Sequence, residues 1–202
     1  AQDKRTALEY KIFCSVRDQV TDRAALILDT AAFVARVDAL QGLAMAASEN
    51  NYSRPEINPD GQIRITDGRH PVVEKLITGE RYVPNSIEMD NESCQVLLIT
   101  GPNMAGKSTV LRQVALTVLM TQMGSFVPAR EASVCLVDRI FTRVGALDNL
   151  SSGQSTFMVE MEETANIVNN ATRNSLVILD EIGRGTSTYD GMSIAWAVTE
   201  YL

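Results

Sequence analysis

The sequence predicts an α/β fold preceded by a helical segment, and three observations lead to this prediction. Residues 1–51 carry apolar side chains at helical spacing and almost no glycine or proline. An apolar run at residues 96–100, a glycine-rich run at residues 101–108 and a helix-like run at residues 109–122 follow one another. Residues 176–179 form a continuous, β-branched-rich run of the kind found in buried parallel strands. Strand, glycine loop and helix in succession indicate an α/β unit built around a loop.

The other elements follow from local patterns. Residues 1–51 are expected to form two helices, which gives a helical segment at 1–51 and an α/β domain at 52–202, with prolines at the break between them. Alternation after the Asp60–Gly61 turn predicts a short strand. The expected strands lie at 62–66, 96–100, 134–137, 140–144 and 176–179, and the expected helices at 109–122, 157–172 and 192–202. No glycine, proline or capping group follows the last run, so we expect the chain to be truncated there.

Composition limits the function. The formal net charge of −7 over 202 residues disfavours a general nucleic-acid-coating role but leaves a local DNA contact open. The three cysteines, Cys14, Cys94 and Cys135, have no paired spacing and predict neither a disulfide framework nor a zinc site. We see no signal peptide and no apolar stretch long enough to span a bilayer. A reducing, cytoplasmic compartment is expected.

The glycine-rich run has the G-x-x-x-x-G-K-[ST] spacing of a phosphate-binding P-loop. Its glycines let backbone N–H groups close on phosphate oxygens, and the following helix N-terminus adds partial positive charge. Lys107 is expected to reach the outer phosphates and Ser108 to hold Mg²⁺. Chance occurrence is the alternative, which the strand before and the helix after disfavour. The residues predicted to bind the phosphates are Gly101, Pro102, Asn103, Met104, Ala105, Gly106, Lys107, Ser108 and Thr109.

Two acids, Asp180 and Glu181, follow the apolar run at 176–179. An aspartate at the carboxyl end of a buried strand can face a neighbouring P-loop and coordinate Mg²⁺. Glu181 would then lie near the terminal phosphate and act as a general base on the attacking water. The alternative is that both acids merely begin a solvated turn.

Two polar loops leave alternatives open. Residues 183–191 are glycine-rich and suit either an interface contact, a nucleotide sensor or an ordinary loop. Residues 151–156 precede a predicted helix, and their serines and threonine suit N-caps. The sharper hypothesis is that the helix end at Ser155 meets the γ-phosphate of a nucleotide held by a second subunit.

Several blocks together resemble the MutS family of DNA mismatch-repair ATPases, in the family's order and close to its spacing. The resemblance covers nearly all of the chain from about residue 63 and, more loosely, the helical front. The blocks are RHPVVE at 69–74, GPNMAGKST at 101–109, DRIFTRVGA at 138–146, STFMVEM at 155–161 and DEIGRGTST at 180–188.

The resemblance implies a P-loop NTPase fold of the ABC-ATPase type, working as a composite dimer with ATP or ADP and Mg²⁺. It makes residues 101–109 the Walker A motif and Asp180 and Glu181 the Walker B acids. Ser108 and Asp180 would hold the metal, and Lys107, Glu181 and Ser155, the last from the opposite subunit, would serve hydrolysis. Tyr82, Val83 and Asn85 lie where the family contacts adenine, although Tyr82 equally suits a packed surface aromatic. The single histidine, His70, is better suited to structural hydrogen bonding than to catalysis.

The resemblance also implies a function for a larger parent protein. ATP binding and hydrolysis would switch a DNA clamp, and residues 1–51 would be the end of its helical core and lever domain. Mismatched double-stranded DNA would be read by domains that this chain lacks, in a homodimer of the bacterial cytosol and nucleoid, with a MutL-type downstream partner and no membrane. One alternative is a nucleotide-dependent dimerisation module without significant turnover. Another is an ABC-type DNA recombination or chromosome-organising protein, but those carry a Leu-Ser-Gly-Gly-type signature where this chain has STFM.

Overall fold

The computed structural model describes residues 2–79, 81–144 and 156–202. The chain divides into two compact units, Ala1–Ala46 and Ala47–Leu202. The first unit consists of helix α1, Gln2–Thr21, and most of helix α2, Ala24–Asn50. These are the two helices predicted for residues 1–51. Among the described residues, no helix is both long and apolar enough to cross a membrane.

The second unit alternates strands and helices. Its elements are β1 Glu56–Asn58, β2 Ile63–Gly68, α3 Val73–Leu76, β3 Asn85–Met89, α4 Lys107–Gln122, β4 Glu131–Cys135, β5 Ile140–Arg143, α5 Thr156–Asn170, β6 Leu176–Leu179 and α6 Thr188–Tyr201. The predicted helices at 109–122, 157–172 and 192–202 therefore exist, and the last begins four residues earlier than predicted. It begins there because the Ser187 side chain caps its first turn by accepting from the Asp190 N–H.

The strands form two separate sheets. A four-stranded sheet has the order β1-β4-β2-β3, in which β2 is antiparallel to both neighbours and β1 is parallel to β4. The second sheet pairs β5 and β6 in parallel, with Ile140 opposite Leu176 and Arg143 opposite Leu179. The parallel pairing predicted for residues 176–179 is thus present.

The predicted strand at residues 96–100 does not form, and this overturns the sheet expected for the fold class. Residues 94–100 have no strand assignment, and the Leu98 side chain is 78% exposed. An α/β P-loop NTPase sheet of the ABC-ATPase type would need this segment paired beside β6. Instead the largest sheet is mixed and mostly antiparallel, and it is separate from the β5–β6 pair.

The core of this unit lies where α4 packs on the strands. Helix α4 contacts both β2 and β6, so it joins the two sheets. Its buried positions recur every three or four residues, which is the spacing of one helix face, and they include Val114 and Val118. Against them lie Ile65 and Val134, which are almost fully buried. Burying apolar side chains of this size stabilises the folded chain by about 1.5–3 kcal/mol each. The packing therefore fixes the position of α4, and with it the start of the helix where the glycine-rich loop ends.

Candidate functional site

The ammonium group of Lys107 is hydrogen-bonded to the start of the glycine-rich loop. Lys107 Nζ donates to the carbonyl oxygens of Gly101 and Pro102, both at 2.8 Å. Gly106, at φ 91°, and Met104, at φ 64°, are in left-handed backbone conformations, which turn the chain tightly before α4. An ammonium has three N–H donors, and the two carbonyls occupy two of them. One donor of Lys107 is therefore left for a further acceptor.

The first turn of α4 has an uncapped N-terminus. Gly106 supplies no side-chain cap, and no acidic residue lies in the first turn. The first N–H groups of a helix have no partner within the helix, and together with the helix dipole they favour an anion. Lysine and unpaired amides at one end of one helix are suited chemically to phosphate.

The two predicted acids lie just after β6, the strand that packs against α4. Asp180 is 8% exposed, and its backbone N–H donates to the Arg143 carbonyl at 2.7 Å. In the described part of the chain no side chain hydrogen-bonds or ion-pairs with the Asp180 carboxylate. Glu181 is in the left-handed region at φ 61°, and its carboxylate pairs with Arg184 at 2.7 Å.

The predicted magnesium ligands lie on two elements that pack together, Ser108 in the first turn of α4 and Asp180 directly after β6. No group of three or more histidine, cysteine, aspartate or glutamate side chains suited to a metal occurs within the described ranges. Magnesium does not require such a group, since it typically takes one or two carboxylates and completes its shell with phosphate oxygens and water. Asp180 supplies a buried carboxylate, which is the kind of ligand that such an ion prefers.

The predicted adenine segment is anchored to α4. The Tyr82 hydroxyl donates to Gln113 Oε1 at 2.8 Å, and Gln113 is fully buried on α4. Asn85 Nδ2 donates to the Val83 carbonyl at 3.0 Å, and Val83 is exposed. Burial raises the pKa of Tyr82 above its ordinary value. The segment's contact with adenine remains a prediction.

His70 takes a structural position. It is buried, and its Nδ1 accepts from the backbone N–H groups of Val72 and Val73 at 3.3 and 3.2 Å. Burial, and next the nearby Arg112 guanidinium, hold the pKa of His70 below its ordinary value. The neutral ring thus caps the start of α3, in agreement with the predicted structural role.

Sequence reasoning missed Glu160. This glutamate is 2% exposed, and its Oε1 accepts from the Gly183 N–H, in the loop after the two acids. Glu160, Thr164 and Ile167 form the buried face of α5. The spacing i, i+4, i+7 was a signal that this acid lies on the inner face and needs a partner there.

Ser155, the predicted trans-acting residue, lies outside the described residues.

Comparisons with known proteins agree with the motif resemblance. The family described as MutS domain V matches residues 97–202. The chain is 70% identical over all of its 202 residues to the "DNA mismatch repair protein MutS" of Desulforapulum autotrophicum, and covers 23% of that protein. It is 61% identical to the protein of the same name from Desulfosudis oleivorans and 62% identical to that from Halothermothrix orenii, again over the whole chain. It covers 23% and 22% of those two proteins, so it spans about a quarter of the length of such relatives.

The family match and the strand pairing both disagree with the predicted fold class. The matching family is MutS domain V, and the two separate sheets lack the strand at 96–100. The prediction of a P-loop NTPase fold of the ABC-ATPase type is therefore wrong, and residues 97–202 match MutS domain V instead.

Proposed function

Since this chain belongs to the MutS family, we propose that it binds ATP with Mg²⁺ and hydrolyses it as part of a DNA mismatch-repair protein. One observation carries the proposal: the Lys107 ammonium is hydrogen-bonded to the Gly101 and Pro102 carbonyls of the loop at the uncapped start of α4. A structural lysine would need no such loop, whereas a polyphosphate needs a cation and free backbone amides in one place.

The residues divide the chemistry between them. The loop and the first turn of α4 bind the phosphates, and the Lys107 ammonium carries a donor to their outer oxygens. Ser108 and Asp180 would hold the metal ion, which would supply charge neutralisation on the phosphates. Glu181 orients the attacking water and accepts its proton. Its ion pair with Arg184 is exposed, so releasing the carboxylate costs little. Tyr82, Val83 and Asn85 contact the base, and ADP occupies the same site after hydrolysis.

The wider activity belongs to the intact protein. We propose that it works as a homodimer in the bacterial cytoplasm on mismatched double-stranded DNA, with a MutL-type partner downstream. Ser155 of one subunit would act on the nucleotide held by the other. Mixed dimers of Ser155→Ala and Lys107→Ala subunits test that role. If Ser155 acts in trans, its loss impairs hydrolysis in the partner's nucleotide site and not in the site of its own subunit.

Phosphate release and nucleotide-driven dimerisation, measured side by side on the intact protein, test the proposal. The wild type should release phosphate from Mg²⁺–ATP, and Glu181→Ala should dimerise with ATP but hydrolyse it about 10²–10⁴-fold more slowly. Dimerisation without hydrolysis in the wild type would instead indicate a non-enzymatic module. Failure to bind ATP at all would reject the proposal.

A further inference from the structure

The loop after β6 is held from two sides by groups that flank Glu181. On one side, the Asp180 N–H donates to the Arg143 carbonyl at 2.7 Å. On the other, the Gly183 N–H donates to the carboxylate of Glu160. Between them Glu181 has a left-handed backbone, which an L-residue adopts only when its surroundings require it. The two hydrogen bonds supply that requirement.

The same loop is packed too tightly to relax around a missing bond. Gly183 is left-handed at φ 83°, and a Cβ on it would lie 2.5 Å from the backbone of Gly191. A Cβ on Gly185 would lie 2.8 Å from the Cα of Phe157, in the first turn of α5. Glu160 is one turn further along that helix. Helix α5, the loop of residues 180–187 and the first turn of α6 thus form one closely packed body.

We propose that Glu160 is a positioning residue for ATP hydrolysis: its buried carboxylate fixes the 182–183 peptide and thereby directs the Glu181 side chain. This inference rests on the proposed function. A hydrogen bond between a carboxylate and a backbone N–H is charge-assisted and roughly twice as strong as a neutral one. Because Glu160 is 2% exposed, water cannot replace it when it is lost. The 182–183 peptide then rotates, and Glu181 loses its orientation.

Loss of the Glu160 carboxylate should slow ATP hydrolysis and leave ATP affinity unchanged. The phosphates are bound by the loop of residues 101–106 and by α4, which Glu160 does not contact through any hydrogen bond in the described part of the chain. Misplacing a catalytic group by about 1 Å can cost about 10²-fold in rate. A defect confined to the rate constant therefore distinguishes positioning from a general loss of structure.

The test compares Glu160→Met, which keeps the volume but removes the acceptor, with Glu160→Gln, which keeps an oxygen acceptor. Glu162→Ala, an exposed acid on the same helix, is the matched control. Single-turnover hydrolysis, ATP affinity and hydrogen exchange of the peptide spanning residues 181–191 are measured on the intact protein. Glu160→Met should slow hydrolysis at least about tenfold with little change in affinity, and exchange in that peptide should rise. Glu160→Gln and Glu162→Ala should resemble the wild type in all three.

Failure of the positioning role of Glu160 and failure of the proposed ATP hydrolysis give different results in this experiment. A wild-type rate in Glu160→Met, a parallel loss of rate and affinity, or failure of Glu160→Gln to restore the rate would each overturn the positioning role while wild-type ATP hydrolysis stands. A wild type that does not hydrolyse ATP overturns the proposed function, and this inference with it. Should Glu160→Met not fold, Glu160→Asp withdraws the carboxylate by one methylene and is expected to give the same rate defect.

Discussion

The Glu181 carboxylate lies 2.7 Å from Nη1 of Arg184, three residues further along the same loop. The side chains are 39% and 72% exposed, so solvent weakens the attraction between them. Exposed ion pairs contribute about 0–1 kcal/mol. The pair therefore competes only weakly with a water molecule for the carboxylate of the proposed general base.

Arg184→Ala should leave ATP affinity unchanged and raise the single-turnover hydrolysis rate by no more than about fivefold, the equivalent of about 1 kcal/mol. The reason is that Glu181 no longer has a competing partner. Arg184→Lys keeps the positive charge and is the control, with a rate near that of the wild type. A lower rate in Arg184→Ala would show instead that the guanidinium assists hydrolysis.

The sequence predicted those elements whose signal is local. The helical spacing of residues 1–51 and 109–122 and the β-branched run at 176–179 each gave the correct element. The run at 96–100 did not form a strand, and its Leu98 is exposed, because an apolar pattern alone does not supply the partner strand that must come from a distant part of the sequence. Strand β3 was missed for a related reason: its sequence NSIEM is largely polar, and it is defined by its pairing with the distant strand β2, in which Ile65 lies opposite Ile87 and Gly68 opposite Asn85.

The same distinction applies to the candidate site. The loop of residues 101–106 and the acids after β6 are contiguous motifs, so they could be read from the sequence. The bond between Glu160 and Gly183 joins positions 23 residues apart. Only the folded chain shows that this helix acid is turned towards the loop and buried there.

Lys107→Ala should remove most of the affinity for ATP. The variant loses a charge-assisted bond to phosphate and also the two carbonyl contacts that close the loop. Titration of a fluorescent ATP analogue measures the effect, with the exposed Lys75→Ala as the matched control of the same net charge. Equal affinity in Lys107→Ala and Lys75→Ala would remove Lys107 from the phosphate site.

Tyr82→Phe and Tyr82→Ala separate anchoring from base stacking. Tyr82→Phe keeps the ring but leaves buried Gln113 Oε1 without its donor, so unfolding should become about 1–3 kcal/mol easier while ATP affinity stays unchanged. Tyr82→Ala should also weaken ATP binding, since a stacked base is worth about 1–3 kcal/mol. Tyr201→Phe, at an exposed position, controls for the loss of a hydroxyl. If Tyr82→Ala binds ATP like the wild type, the ring is only a packing group.

His70 should make the stability of the folded chain depend on pH in a way that can be assigned, because it is the only histidine in the sequence. Burial lowers the pKa of His70 in the folded state, whereas the unfolded chain keeps a value of about 6.5. As the pH falls below about 6.5 the unfolded state takes up the proton first, so the free energy of unfolding falls. Above that pH His70 does not make the free energy of unfolding depend on pH.

His70→Asn keeps a side-chain oxygen that can accept from the Val72 and Val73 N–H groups but does not titrate. Urea unfolding of the 202-residue chain between about pH 5 and 8 should therefore show the wild type losing stability relative to His70→Asn below about pH 6.5, while the carboxylates act equally on both. Parallel curves for the two proteins over this range would mean that His70 titrates normally in the folded state and that its ring is not held neutral by burial.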